Sequence, residues 1–477
     1  MSGQAIPSKE KKLASNILLF SLTMLLPKLL SFFLVPVYTA YLTTEEYGIS
    51  DLILNTNSLI LPIFSLGINN AVLLFTIENK GDAKPYHVGL RHWIISTIAL
   101  MICLASVRFF FEVNTTYLLF VLLIYSTNAL SDVQIAYLKS QEEMRLISIC
   151  TIGGSFVSIF SNIITIVVLQ LGVYGFLIST SVGYLFQVVF VAVYTRGKNL
   201  YKNQLKRREM IAQDMYKYSV PLVSSSISWW LYSASDRYFV TSMISAAENG
   251  IYAVAYKIPN MLQIVQNIFS QAWFFSLFDL YKTEEGRRYI GKIYDLYSFV
   301  MCFSCGLLIA ADVFLARLLY SNDFFTAWRY VPPLLISIVF TALATFLSTF
   351  LMAHKRSDLS AKIAIATSII NCIMNYTLIK MTGSAFGAAV STALTAAINW
   401  VFALYYGRKF VRIEIKFSKH IGMFFLLIIE SIVMIYMSNT FICIIILIVI
   451  FSMNTQNCGL VLEKVKQNMK KINTNRG

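Results

Sequence analysis

Long apolar runs recur fourteen times along this chain, separated by short polar gaps. Each is close to the ~20 residues that carry a helix across ~30 Å of hydrocarbon. No soluble fold can cover so many. Of the 477 residues, 57% are hydrophobic and 13% charged, the latter about half the share in soluble domains. A backbone in lipid must satisfy its own polar groups, so the runs are helices. The expected fold class is all-α, a polytopic membrane protein of about 14 transmembrane helices. The runs cover 14–41, 49–74, 88–110, 117–138, 146–169, 173–194, 215–244 and 250–275, then 292–317, 328–353, 359–379, 385–406, 420–437 and 440–453.

The charge pattern tests this map. Net charge is +15, which in a soluble chain would suggest nucleic acid. Here 32 of the 39 Lys and Arg fall in gaps or at the edges of runs on the side of the N-terminus, and only Arg108, Arg317, Arg329 and Lys380 do so on the other. Lys28, Arg237 and Lys257 remain within runs. That asymmetry places both termini in the cytoplasm, and no nucleic-acid partner is expected. The largest basic gap holds Arg196, Lys198, Lys202, Lys206, Arg207 and Arg208. It suits anionic lipid headgroups.

Seven cysteines are scattered, and the pair Cys302 and Cys305 lies inside a run, where packing is the simpler reading than redox or metal chemistry. His87, His92, His354 and His420 all map to the inside edge. No triad or metal cluster is evident, no cofactor is expected, and the residues before Lys12 carry no removable signal peptide. The chain does not read as an enzyme.

The halves of the chain echo each other. Tyr47-Gly48-Ile49 matches Asn249-Gly250-Ile251 at a shift of 202, and Gly175 matches Gly387 at a shift of 212. Tyr137-Leu138 and Phe350-Leu351 correspond at 213. Six runs per repeat is an even number, so the two repeats insert in parallel, related by an axis along the membrane normal. The expected organisation is a six-helix lobe at 1–195, a basic linker at 196–214, a second six-helix lobe at 215–407, and two extra helices with a basic tail at 408–477.

Charges inside the runs are expensive, at least ~2.5–3.5 kcal/mol each. Lys28 lies near the middle of the first run, with Pro27 before it and Pro36 after. A helix bent by proline with a central cation suits the lining of a cavity. Asp236 and Arg237 are adjacent in the outer half of run seven, and neighbours on a helix point about 100° apart. An Asp236–Lys257 pair would leave Arg237 facing the cavity. Asp132 shares a face of run four with Asn128. Asp51, Asp295, Asp312 and Arg317 read as interfacial, and Glu430 as a helix-packing contact. The deep set leans basic, which suits an anionic passenger.

Several stretches resemble one family. Leu25-Leu26-Pro27-Lys28, Val35-Pro36-Val37-Tyr38 and Leu42-Thr43-Thr44-Glu45-Glu46-Tyr47-Gly48 are similar to bacterial polysaccharide (O-antigen, Wzx-type) flippases. So are Ser65-Leu66-Gly67-Ile68, Asp236-Arg237-Tyr238 and Gly250 through Ile258. The resemblance implies the multidrug, oligosaccharidyl-lipid and polysaccharide exporter superfamily, with a V-shaped, two-lobed, MATE-like fold. It implies a bacterial inner-membrane protein that moves an undecaprenyl-diphosphate-linked oligosaccharide to the outer leaflet, alongside a polysaccharide polymerase and a chain-length regulator. On that view Lys28, Arg237 and Lys257 receive the diphosphate, and Asp236 and Asp132 are candidates for ion pairing or coupling.

Three rivals remain. A drug/cation antiporter of the same superfamily would favour acidic cavity residues. A membrane polysaccharide polymerase or ligase would need a large outside loop bearing an acid or base. A major-facilitator sugar symporter would need a signature that Glu78 to Arg91 does not supply.

Overall fold

The computed structural model describes residues 26–79, 82–196, 208–280, 284–354, 356–410 and 417–454. The two tails, the first part of run one and the centre of the basic linker lie outside them. Over the described residues, every run corresponds to a helix or a broken helix. The first is α1 (Leu26–Tyr41), interrupted by a turn at Leu34, just before Pro36. Then follow α2 (Thr44–Ser65), α3 (Ile68–Glu78), α4 (Lys84–Phe110), α5 (Thr115–Ser140), α6 (Met144–Val168), α7 (Gly172–Arg196), α8 (Arg208–Met243), α9 (Ala246–Ala255) and α10 (Pro259–Leu280). The chain continues with α11 (Glu284–Leu319), a 3₁₀ segment (Asn322–Tyr330), α12 (Val331–Ala353), α13 (Ser357–Thr382), α14 (Phe386–Gly407), α15 (Phe417–Met437) and α16 (Thr440–Ser452).

Among the described residues, nine helices are long and apolar enough to cross a membrane, and the bent pair α2–α3 makes ten. The chain is a multi-pass membrane protein. Run two proves not to be straight: α2 and α3 meet at 49°. Leu66 (φ 49°) and Gly67 (φ 61°) are both left-handed there, which ends the hydrogen-bond ladder. A carbonyl freed by the bend is used, since His92 Nε2 lies 3.1 Å from the oxygen of Phe64. Run eight is broken too, at Tyr256–Ile258 ahead of Pro259.

The helices gather into two compact units, Met1–Gly250 and Ile251–Gly477. In the first, α5 packs against α2, α3, α4 and α7, and α8 packs on α2, α3 and α4. In the second, α12 is the hub, touching α10, α11, α13, α14 and α15. Most of its residues are buried, as in a helix apolar all round.

The repeat has a structural counterpart inside each unit. A Cβ on Gly175 would come within 2.9 Å of the Thr165 oxygen, and one on Gly387 within 2.5 Å of the Leu378 oxygen. The sixth run of each repeat thus starts hard against the end of the fifth.

Glu430 of α15 is fully buried, and among the described residues neither carboxylate oxygen has a hydrogen-bond partner. It fills the space left by Gly306 of α11, beside Leu427 and Leu447. Glu430→Gln, an isostere of nearly the same size, keeps that space filled and should leave thermal stability in detergent within a few degrees of wild type. A large fall in Tm would mean that the side chain contributes more than packing.

Candidate functional site

The site grows from the start of α2. Thr43 caps that helix, accepting from the Glu46 backbone N–H, while the Glu46 carboxylate accepts from the Thr43 N–H at 2.9 Å. This capping box fixes where α2 begins. One turn on, Gly48 lies against α9. A Cβ on Gly48 would sit 1.9 Å from the Ala246 oxygen, and a Cβ on Gly250 would sit 1.9 Å from the Thr44 oxygen. All four positions are related by the repeat shift of 202. The contact is therefore reciprocal. Asn249 Nδ2 completes it by donating to the Gly48 oxygen at 3.1 Å.

Below this crossing, α2 and α8 share a polar seam. Asp51 Oδ2 lies 2.9 Å from Arg237 Nε, an ion contact rather than an in-line hydrogen bond. Arg237 Nη1 lies 3.5 Å from Asp236 Oδ1 and donates to the Ser233 oxygen at 3.2 Å. The Arg237 backbone N–H also donates to Asp236 Oδ1 at 2.9 Å. Asn55 Nδ2 donates to the Asp51 oxygen (2.8 Å), and Trp230 Nε1 to the Asn55 oxygen (2.9 Å). Thr56 and Tyr238 share a hydroxyl contact of 2.6 Å.

Two carboxylates hold Arg237, and its side chain is only 12% exposed. Asp51, expected at the interface, is one of these partners of Arg237. Asn55, Thr56, Trp230 and Tyr238 complete the seam, and sequence reasoning assigned none of them to it. Replacing the indole tests one link, its donor together with part of its bulk. Trp230→Phe should cost about 1 kcal/mol, read as a small fall in the unfolding midpoint with the fold retained.

The other expected residues lie on other elements. Lys28 is exposed on α1, where Ser31 Oγ caps its carbonyl at 2.9 Å. Asp132 is half-buried on α5, next to Ser131, which donates to Gln187 at 2.8 Å. Among the described residues, neither Lys28 nor Asp132 forms an ion pair with the Asp51–Arg237 cluster. Lys257 is half-buried in the break between α9 and α10, its N–H donating to the Val254 oxygen at 2.9 Å.

One histidine cluster was not foreseen. His420 Nε2 lies 2.7 Å from Asp295 Oδ1, and His420 Nδ1 lies 2.9 Å from Ser298 Oγ. The three residue types are those of a hydrolytic triad. Ser298 has no exposed surface, so no acyl group can reach it, and the chain of bonds joins α15 to α11. Asp295, expected at the interface, belongs to this clasp.

Residues 13–278 match the family described as polysaccharide biosynthesis protein. The chain belongs to that family. A relative in Haloferax volcanii, described as a probable low-salt glycan biosynthesis flippase, Agl15, is 25% identical to this family member over 217 residues. That match covers 44% of each chain, so the family member spans less than half the length of this relative. Its fold is similar to that of the lipid II flippase MurJ in an inward closed conformation, over 94% of this chain and 99% of that one (TM-score 0.67, 12% identity). It is also similar to an inward-facing multidrug resistance MATE family transporter of the MOP superfamily, over 83% and 97% (TM-score 0.65, 14% identity). At these identities the likeness is one of fold. The resemblance to polysaccharide flippases and the MATE-like architecture, both expected from the sequence, are borne out.

Proposed function

We propose that this protein is a flippase that carries a polyprenyl-diphosphate-linked oligosaccharide across the bilayer by alternating access. The observation that carries the reading is the polysaccharide biosynthesis family match across residues 13–278. The fold shared with a lipid II flippase is consistent with it. The finer reading is a bacterial inner-membrane protein with cytoplasmic termini. Its cargo is an O-antigen or related repeat unit on undecaprenyl diphosphate, passed on to a polymerase and a chain-length regulator. The lobes of the transport unit are 1–195 and 215–407, joined by the basic linker, with 408–477 as an addition.

Lys28, Arg237 and Lys257 are the cations we assign to the diphosphate, with Arg237 held in place by Asp51 and Asp236. An inside-negative potential favours outward passage of an anion by about 2.3 kcal/mol per charge at 100 mV. Asp132 and Asp236 are the candidates for coupling to an ion.

Complementation tests this reading. The protein replaces the resident flippase of a strain that exports a surface polysaccharide, alongside Lys28→Ala and Lys257→Ala. Restored surface polysaccharide in the wild type, with lipid-linked intermediate accumulating in the variants at normal protein level, is the expected result. Full export by both variants removes the diphosphate assignment. Failure of the wild type, even with the polysaccharide of its own gene neighbourhood, favours the drug/cation antiporter.

A further inference from the structure

Helix α8 is long enough to cross a membrane, at 36 residues. It is nevertheless absent from the nine helices apolar enough to do so. Its polar residues are not all hidden in the seam with α2. Tyr218, Pro221, Ser225, Trp229 and Tyr232 recur at three- and four-residue steps, which aligns them on one face. Ser225 and the neighbouring Ser224 are exposed, and Trp229 is 63% exposed. The rings of Trp229 and Tyr232 lie 5.9 Å apart at 33°.

The two adjacent tryptophans are differently employed. Trp230 donates its indole N–H to the Asn55 oxygen and packs edge-on against Tyr238 at 5.3 Å. It joins α8 to α2. Trp229 has no acceptor for its indole N–H among the described residues. Interfacial anchoring does not account for it, since anchoring tryptophans sit at the two ends of a span and Trp229 lies midway along run seven. Nor would lipid suit a face carrying exposed serines at that depth. Their hydroxyls donate to carbonyls of their own helix, Ser224 to Pro221 at 2.9 Å and Ser225 to Leu222 at 2.7 Å. That leaves their oxygen lone pairs outward as acceptors.

A broad aromatic surface with an unused donor and flanking hydroxyl acceptors matches one kind of ligand. The C–H face of a pyranose lies against such rings, while its hydroxyls donate to seryl oxygens and accept from an indole N–H. The stripe ends one turn from Asp236, so it adjoins the ion cluster. We propose that the Trp229–Tyr232 face of α8 is a platform for the saccharide portion of the cargo, distinct from whatever receives the diphosphate. This rests on the flippase reading above.

Binding to the full-length protein in nanodiscs tests it, with two probes: undecaprenyl diphosphate bearing a disaccharide, and bare undecaprenyl diphosphate. Wild type should bind the first more tightly. Trp229→Ala should weaken that binding about five- to tenfold and leave the bare lipid unchanged, while Trp229→Phe keeps most of the affinity. Equal affinity of wild type for the two lipids overturns the platform and leaves the flippase reading standing. So does a Trp229→Ala variant that binds the disaccharide lipid as wild type does, or one that loses both lipids equally. Wild type that binds neither probe overturns the flippase reading, and the platform with it.

Discussion

Gly48→Ala should abolish export while the protein still inserts and can be purified. The added methyl would be placed 1.9 Å from the Ala246 oxygen. Its neighbour is backbone, which no rotamer change can clear. Overpacking of this kind costs about 1–3 kcal/mol where side chains can shift, and more is expected against a carbonyl. Gly250→Ala should reproduce the effect, because it meets the Thr44 oxygen at the same distance. A cysteine pair at Thr44 and Ala246 provides the structural readout. It should crosslink readily with glycine at 48 and poorly with alanine. Normal export by both alanine variants would mean that the close approach of α2 and α9 is dispensable.

The second large effect concerns Asp51. Removing one member of a buried ion pair typically costs about 3–5 kcal/mol. Here the Asp51 side chain is 19% exposed, and Asp236 still faces the arginine. Asp51→Ala should therefore destabilise by about 2 kcal/mol, below the full penalty for an uncompensated buried charge. Arg237→Gln should cost at least as much, since it leaves two carboxylates side by side. The double variant Asp51→Asn with Arg237→Gln should recover part of the loss. The measurement is a double-mutant cycle on thermal unfolding in detergent, and additive losses would mean that the pair is not coupled.

The helices were legible in the sequence because a membrane imposes length and apolarity on each of them separately, without reference to its neighbours. The break at Leu66-Gly67 was less so. A glycine within a run signals tolerance of a bend, but its direction depends on what receives the freed carbonyl, and that is His92 from another helix. Asp236 and Arg237 stood out as charges within an apolar run. The apolar run starts at 49 and so puts Asp51 at its edge, whereas the helix starts at Thr44. About two turns in from that start, Asp51 comes level with Arg237, which lies about as far from the end of α8. The Thr43–Glu46 capping box was the signal that would have moved the boundary. Gly48 and Gly250 were recognised as markers of the repeat. Their purpose was hidden, because nothing in a single strand of sequence states that two equivalent glycines must touch. Trp229 and Trp230 are indistinguishable as letters, and only the acceptor on Asn55 separates them.

Helix α12, enclosed by its neighbours along most of its length, has a different kind of consequence. Most membrane helices carry a lipid side, where side chains can be exchanged freely, and a protein side, where they cannot. Substitution scans along them should therefore rise and fall with the helical turn. A scan of α12 should lack that rhythm. Added bulk should be resisted at nearly every position from Val331 to Phe350, as in the interior of a soluble domain. The thickness and composition of the surrounding bilayer should matter least to this helix.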